Sequence, residues 1–451
     1  MLLKTFQRGI HPSYHKDLTS DKAIENALLP KRVVIPLWQH IGAPCEPLVK
    51  KGDDVTEGQK IGDAKSFVSA PVHASITGKV KEVTMHSHPA GAKALSIIIE
   101  GDGVTRKDWT EAEGVDPEKL SPDEIRTLTK EAGIVGLGGA AFPTAVKLSP
   151  PKDRLIDTVI LNGCECEPYL TADHRLMLEE PEKVIRGLKA IMKAVGAKNC
   201  YIGIEDNKQD VVDALSGAAS GILPSVNIVL LETKYPQGAE KMLIYAILKR
   251  KVPVGKLPFD IGVIVNNVAT SVAIYEAIRY KKPLIERVVT VSGNGVKTPK
   301  NLRVRIGVTF EDVLKQCGGL SGAGEGGDGG EVEVISGGPM MGITQKSLDA
   351  PVIKGTSGIT VLAGTGIKPL EYQPCIRCAS CVEACPMGLM PYRLGDTGRL
   401  AMMEGFKAWS GSACIECGSC SFVCPSHRPL VQWIRVGKMK LPSQEKQGEG
   451  K

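Results

Sequence analysis

Residues 157–206, DTVILNGCECEPYLTADHRLMLEEPEKVIRGLKAIMKAVGAKNCYIGIED, decide how the middle of this chain folds. DTVILNG reads as a strand, PEKVIRGLKAIMKAVG as a helix and CYIGIED as the next strand. The alternation continues with helix KQDVVDALSGAA, strand VNIVLLET, helix GAEKMLIYAILKR, strand IGVIVNN and helix TSVAIYEAIRY. Short β-branched strands separated by helices predict a mostly parallel, Rossmann-like α/β sheet covered on both faces. It is preceded by SPDEIRTLTKEAG, whose Ser121 and Glu124 form a capping box with Pro122 at the first helical position and Gly133 as the stop. Ligands of such sheets bind beyond the carboxyl ends of the strands, where LNGCECEP and VNNVAT fall.

With 451 residues the chain exceeds the roughly 250 to 300 that one core supports, so several domains are expected. A net charge of +6 implies neither a nucleic-acid coat nor a strongly basic membrane peptide. The start MLLKTFQRGIHPSYHK lacks the apolar core of a signal peptide, and no apolar run approaches the ~18 residues of a membrane span. A membrane association, if present, therefore goes through partners. Fifty glycines and only 4% aromatics point to tight turns and loops in which backbone approaches a ligand.

Around the α/β region lie other kinds of sequence. VKKGDDVTEGQKIGD (49–63) and APVHASITGKVKEV (70–83) resemble the two halves of a biotinyl/lipoyl-type barrel-sandwich hybrid, with Lys65 near the tip in a purely structural setting. Residues 287–319 read as a small module of strands with one helix. SGAGEGGDGG (321–330) reads as a flexible linker, VEVISGGPMMG and SGITVLAG as further strands, and the last fifteen or so residues as a polar, solvated tail. The expected domains are 1–110, 111–285, 286–365 and 366–436, with a tail at 437–451.

Eight of the 13 cysteines sit in YQPCIRCASCVEACP (372–386) and SACIECGSCSFVCP (412–425). Each run has the form CxxCxxCxxxCP. Three thiolates at three-residue intervals wrap one face of a cubane, while the fourth, followed by Pro, serves the other cluster. That assigns Cys375, Cys378, Cys381 and Cys424 to cluster 1 and Cys414, Cys417, Cys420 and Cys385 to cluster 2, both [4Fe–4S]. Paired zinc sites need neither the doubled spacing nor the closing prolines. Cys45, Cys200 and Cys317 read as small buried hydrophobes.

Such clusters pass single electrons. A soluble donor such as NADH gives a hydride, and a flavin converts one to the other. GIVGLGGAAFPTAVKL (133–148) suits a flavin phosphate: Gly136, Gly138 and Gly139 let amides approach an anion, Pro143 starts a helix and Lys147 follows one turn later.

Five segments in order, GLGGAAFPT with Lys147, NGCECEP, YPQGAEK, KLPF and NNVAT, resemble the flavin- and NADH-binding 51 kDa subunit of respiratory complex I. The doubled cysteine motif, the barrel-like start with FQRGIHP and the ending CPSHRPLVQWIR narrow the resemblance to the C-subunit family of Rnf-type ferredoxin:NAD electron-transport complexes, over roughly residues 4 to 436. The resemblance implies a multidomain α/β protein: an N-terminal β barrel-sandwich hybrid, the flavin domain, a β-grasp (SLBB-like) module and an α-helical two-cluster ferredoxin domain. It implies noncovalent FMN held by Gly136, Gly138, Gly139, Lys147, Asn162, Glu165, Asn266, Asn267 and Thr270. NADH is expected over the flavin, against Phe142, Glu167, Tyr235, Glu240, Lys256 and Phe259, with the three aromatics offering faces for stacking. Leu137, Ala141 and Cys164 stand where the complex I protein has Arg, Gly and Asp, so those contacts do not transfer.

The implied activity is hydride exchange between NAD(H) and FMN, with single electrons passing to the clusters and no side chain acting as acid or base. The implied partners are the membrane subunits of the complex and its ferredoxin-like B subunit, with no nucleic acid, and the implied place is the cytoplasmic face of the cell membrane. Two alternatives stand beside this: a corrinoid (cobalamin) reductase with similar flavin and ferredoxin parts, and an electron-carrier module without a nucleotide site.

Overall fold

The computed structural model describes residues 3–110, 114–151, 153–321, 331–364 and 371–441. The glycine-rich stretch read as a linker lies almost wholly outside them, as do residues 442–451 of the tail.

A strap precedes the barrel. Lys4 bridges to Leu231 and Ile10 to Tyr235, so the first residues run along the α/β domain, and β1 (Ile24–Asn26) joins a sheet built almost 300 residues later. The barrel-sandwich proper begins after it. Its strands are β2 (Arg32–Pro36), β3 (Glu46–Pro47), β4 (Asp54–Val55), β5 (Lys60–Asp63), β6 (Val72–His73), β7 (Gly78–Ser87) and β8 (Lys93–Glu100). They form two sheets, β2-β8-β7-β4 and β3-β5-β6, antiparallel throughout. Alternate residues Val33, Ile35, Ile97 and Ile99 meet Ile61, Val72 and Ile76 in the space between.

The α/β domain follows as α1 (Pro122–Glu131), α2 (Thr144–Lys147), β9 (Thr158–Asn162), α3 (Ala172–Glu179), α4 (Pro181–Val195), β10 (Asn199–Glu205), α5 (Gln209–Ile222), β11 (Asn227–Leu231), α6 (Glu240–Leu248), β12 (Val263–Asn267) and α7 (Val268–Tyr280). The Ser121–Glu124 capping box is formed, and Gly133 closes α1 at φ +65°. Helix α3 is additional to the elements read from sequence. Val159 and Leu161 of β9 pack with Val184, Ile185 and Leu188 of α4, whereas Ile160 packs with Leu243 and Ile247 of α6. Helices thus cover both faces. Where α4 crosses α7, a Cβ on Gly187 would run into the Ser271 carbonyl, which is why the crossing uses glycine.

All four strands are parallel in the order β11-β10-β9-β12. The order reverses between β9 and β12, and there the carboxyl-end residues Asn162 and Asn267 are register partners. This is the topological switch point at which an open α/β sheet binds its ligand.

Next come β13 (Glu286–Ser292), β14 (Lys300–Arg305), α8 (Phe310–Gln316), β15 (Val332–Ser336), β16 (Ile343–Thr344) and β17 (Gly358–Ala363), in the sheet order β1-β14-β13-β17-β15-β16. Phe310, Val313 and Leu314 of α8 fill its core against Val289, Val291 and Ile359. The chain ends in short helices: α9 (Ser380–Glu383), α10 (Pro391–Arg399), α11 (Met403–Ala408), α12 (Ser419–Phe422) and α13 (Leu430–Met439). Among the described residues no helix is long and apolar enough to cross a membrane.

Candidate functional site

The glycine-rich loop sits at the switch point. The Gly136 amide donates to the Phe142 carbonyl at 2.8 Å and the Ala141 amide to the Gly136 carbonyl at 3.1 Å, which closes the loop on itself. The Leu137 amide donates to Oγ1 of buried Thr270 in α7 at 2.9 Å, and the Arg287 guanidinium donates to the Leu137 carbonyl at 3.3 Å. Gly139 has φ +102° and open space where a Cβ would point; a Cβ on Gly138 would lie 3.4 Å from Asn267. Ala141 takes φ +48° where the complex I loop has glycine.

Around this loop stand the polar residues expected for FMN. Asn162 donates to the Gly238 carbonyl at 2.8 Å, and Asn267 caps α7 through the Ala269 amide at 2.8 Å while donating to Asp173 at 2.6 Å. Asn266 is buried with its Nδ2 unpaired, and Thr144 Oγ1 is likewise buried without a partner. Gln237, not among the residues expected from sequence, is wholly buried with both amide atoms unpaired. It lies between Tyr235 and Gly238, the glycine whose carbonyl holds Asn162. Each such group costs about 1–3 kcal/mol when left dry. Three of them on the segments that meet at a switch point fit a polar ligand seated there. Lys147 reaches the same region and donates to the Val265 carbonyl at 2.8 Å and to Glu240 at 3.0 Å. Two residues expected to serve different cofactors are thus each other's partners.

Three of the residues expected at the cofactors have partners elsewhere in the fold. Glu165, at φ +47°, turns its carboxylate onto the Asp173 and His174 amides at 2.8 and 3.1 Å, where it caps α3. Glu167 accepts from the Met340 and Met341 amides at 3.1 and 2.8 Å and so pins the 337–342 loop. Tyr235 is 1% exposed, and its hydroxyl donates to the Cys417 carbonyl at 2.6 Å. Its ring therefore lies buried between two domains and joins them. Of the remaining NADH residues, Phe142 is half-buried at the loop, Lys256 is exposed and Phe259 is half-buried. The last two flank the amino end of β12, roughly 13 Å of strand from Asn267.

Beneath the CECEP loop lies a lysine from the strap. Lys16 Nζ donates to the carbonyls of Glu165, Glu167 and Leu170 at 2.7, 3.0 and 2.6 Å. Burial pushes the Glu167 carboxyl up to about 7, against the two loop amides and Lys16, which pull it down. Between its ordinary 4.5 and about 7 the folded chain keeps a proton that the unfolded chain has lost. This contribution is fully present below about 4.5 and is lost as pH rises through about 7, on the order of 3 kcal/mol in all. Thermal melts between about pH 5.5 and 7.5 should show stability declining with pH, and Glu167→Gln should make that decline shallower, with Asp173, likewise held up to about 7 by burial, carrying the remainder. An unchanged slope in the variant would place the titration elsewhere.

The two cysteine runs have one backbone shape. Arg377 and Glu416, then Ala379 and Gly418, take positive φ values of 57° and 58°, then 64° and 81°. One-turn helices α9 and α12 begin right after them and carry Cys381 and Cys420. Burial pushes the Cys381 thiol up, with Cys424, Cys375 and Cys378 adding to it; burial raises Cys420, with Cys417, Cys414 and Cys385 foremost among its neighbours. The fold therefore brings Cys424 to the first run and Cys385 to the second. Among the described residues no three His, Cys, Asp or Glu side chains close on a point that one metal ion would fill. Thiolates around a cubane stand farther apart, because each binds a different iron. Cys375 and Cys378 are exposed, whereas Cys385, Cys417 and Cys420 are buried. Cys417 packs with Ile10, Cys166, Tyr235 and Ala384, so the second set adjoins the α/β domain.

Comparison with known proteins agrees with this layout. Residues 4–104 match the RnfC barrel sandwich hybrid domain, 129–276 the Nuo51 FMN-binding domain, 288–344 the SLBB domain and 374–428 a 4Fe-4S dicluster domain. Fold and site together define an oxidoreductase subunit that binds FMN and two [4Fe–4S] clusters. The chain is 47% identical over 444 residues to the C subunit of the Na(+)-translocating ferredoxin:NAD(+) oxidoreductase complex of Acetobacterium woodii, covering 98% of each chain. It is 47% identical over 402 residues to the C subunit of the proton-translocating complex of Clostridium ljungdahlii, covering 88% of this chain and 85% of that one. To the C subunit of the ion-translocating oxidoreductase complex of Rhodobacter capsulatus it is 41% identical over 436 residues, 96% and 82% of the two chains. The chain belongs to this family of C subunits of ion-translocating ferredoxin:NAD oxidoreductase complexes. An NAD+-reducing [NiFe]-hydrogenase shares the fold, with a TM-score of 0.51 at 20% identity over 75% of this chain and 66% of that one.

Proposed function

We propose that this chain is the NAD(H)-facing subunit of a membrane-bound ferredoxin:NAD oxidoreductase complex. What carries the reading is the contact at Tyr235, which joins a nucleotide-type switch point bearing unpaired buried polar groups to one of two cysteine cages. FMN, when bound, would supply the chemistry that links hydride exchange with NAD(H) to single-electron transfer with the clusters. The chain's own residues bind and orient. The amides of Gly138 and Gly139 and the Lys147 ammonium take the phosphate end, Gly136 closes the loop through the Phe142 carbonyl, and Thr270 holds that loop in place. Asn162, Asn266 and Asn267 face the ring system at the strand ends. Phe142, Glu240, Lys256 and Phe259 take the nicotinamide dinucleotide. Glu165 and Glu167 act one step removed, by holding α3 and the 337–342 loop.

The chain would serve at the cytoplasmic face of the cell membrane, docked to the membrane subunits and to the ferredoxin-like B subunit, and ion movement would lie with those partners. Titrating the anaerobically reconstituted protein with NADH should bleach a flavin band near about 450 nm; an unchanged spectrum would leave a cluster carrier without a nucleotide site. Lys147→Glu should lose most of its FMN, since the variant sets a second carboxylate beside Glu240 where a phosphate needs a cation. Flavin released by denaturation measures this. Full occupancy in the variant would move the phosphate elsewhere.

A further inference from the structure

We propose that Tyr235 is a positioning residue through which the α/β domain raises the reduction potential of the cluster on Cys385, Cys414, Cys417 and Cys420, an inference that rests on the cofactor reading above. The tyrosine is held from all sides. Its backbone amide and carbonyl pair with those of Ile10 in the strap, both at 2.9 Å. Its ring lies among Ile10, Cys166, Ala384 and Cys417, with Met340, Ile415 and Val423 packed around them. Its hydroxyl points at the Cys417 carbonyl, 2.6 Å away. A buried phenol that donates to a carbonyl is a neutral donor.

The O–H dipole thus ends, positive end foremost, on the peptide of a cluster ligand. Reduction adds one electron and no proton to the cluster, and a donor fixed beside it favours the more negative state. Tyr235 itself is neither oxidised nor deprotonated. The second cage also receives N–H donors at sulfur, from Leu389 to Cys385 Sγ at 3.4 Å and from Glu416 to Cys414 Sγ at 3.3 Å. Unlike these, the Tyr235 bond comes from another domain, so this cluster's potential depends on the two domains being docked.

Tyr235→Phe keeps the ring and removes the bond. In a redox titration of the holoprotein followed by electron paramagnetic resonance, one cluster should become harder to reduce. Its reduced-to-oxidised ratio at a fixed potential should fall roughly two- to tenfold, the factor one ordinary hydrogen bond supplies. The other cluster, the iron and FMN content and the NADH-driven bleaching should stay as in the parent. Site-specific 3-fluorotyrosine at 235, a stronger donor, should shift the same cluster the opposite way, which also covers the case of a poorly folded phenylalanine variant. If the parent loads both clusters and FMN and neither replacement moves either potential, the inference is overturned and the cofactor reading stands. A parent lacking flavin or one cluster would sink the cofactor reading itself.

Discussion

Cys385→Ala should lose the cluster of the other cysteine run, not its own. Cys385 closes the first run in sequence, yet the fold seats it beside Cys414, Cys417 and Cys420, while Cys424 returns to Cys381. A cubane cage lacking one of four thiolates does not hold its cluster well, so about half the iron should be lost. The informative comparison is spectroscopic. The cluster left in Cys385→Ala should match the one left in Cys417→Ala and differ from the one left in Cys375→Ala. If Cys385→Ala instead matches Cys375→Ala, each run holds its own cluster and the interleaved assignment is wrong. Because the second cage adjoins the α/β domain, Cys385→Ala should also cut electron flow from flavin while NADH still bleaches the flavin.

Lys16→Met should be strongly destabilising, although Lys16 lies outside the cofactor residues. The side chain enters from the strap and satisfies three carbonyls of the 165–170 loop, which leads directly from the carboxyl end of β9. Burial and nearby Lys208 lower its pKa, while Glu165 and Glu205 act the other way. Methionine fills similar space but donates nothing, and three carbonyls lose charge-assisted bonds of about 1.5–3 kcal/mol each. A loss of roughly 5 kcal/mol is expected, large for a single substitution, together with weaker FMN retention as the CECEP loop loosens. Thermal melts and FMN content check both. A variant within about 1 kcal/mol of the parent would mean that the loop is held by other contacts.

The parts legible in the sequence are those with local causes. The capping box at Ser121, the strand and helix alternation from 157 to 280 and the doubled cysteine spacing each reflect neighbours a few residues apart, and the structure keeps them. What escapes depends on distant partners. HPSYHK carries no local sign that Lys16 will bind Glu165, 149 residues away. Nor does Tyr235 announce a bond to Cys417, 182 residues on. The strap reads as part of the barrel because a three-residue strand, β1, gives too weak a signal to reveal its pairing with β14. Helix α3 escapes for a related reason: its amino end is capped by Glu165, seven residues upstream of Ala172, and not by an adjacent Ser, Thr or Asp. Gln237 shows its importance only through having no partner, which a sequence does not display.

The central claim is that one folded chain connects a two-electron nucleotide site to a one-electron conduit. Its most direct test runs backwards: reduce both clusters of the anaerobic holoprotein photochemically, remove the reductant, and add NAD+. The cluster signals should then disappear as NADH absorbance near about 340 nm grows, about one NADH for every two electrons withdrawn. Clusters that stay reduced in the presence of NAD+, in protein retaining its FMN, would contradict the account.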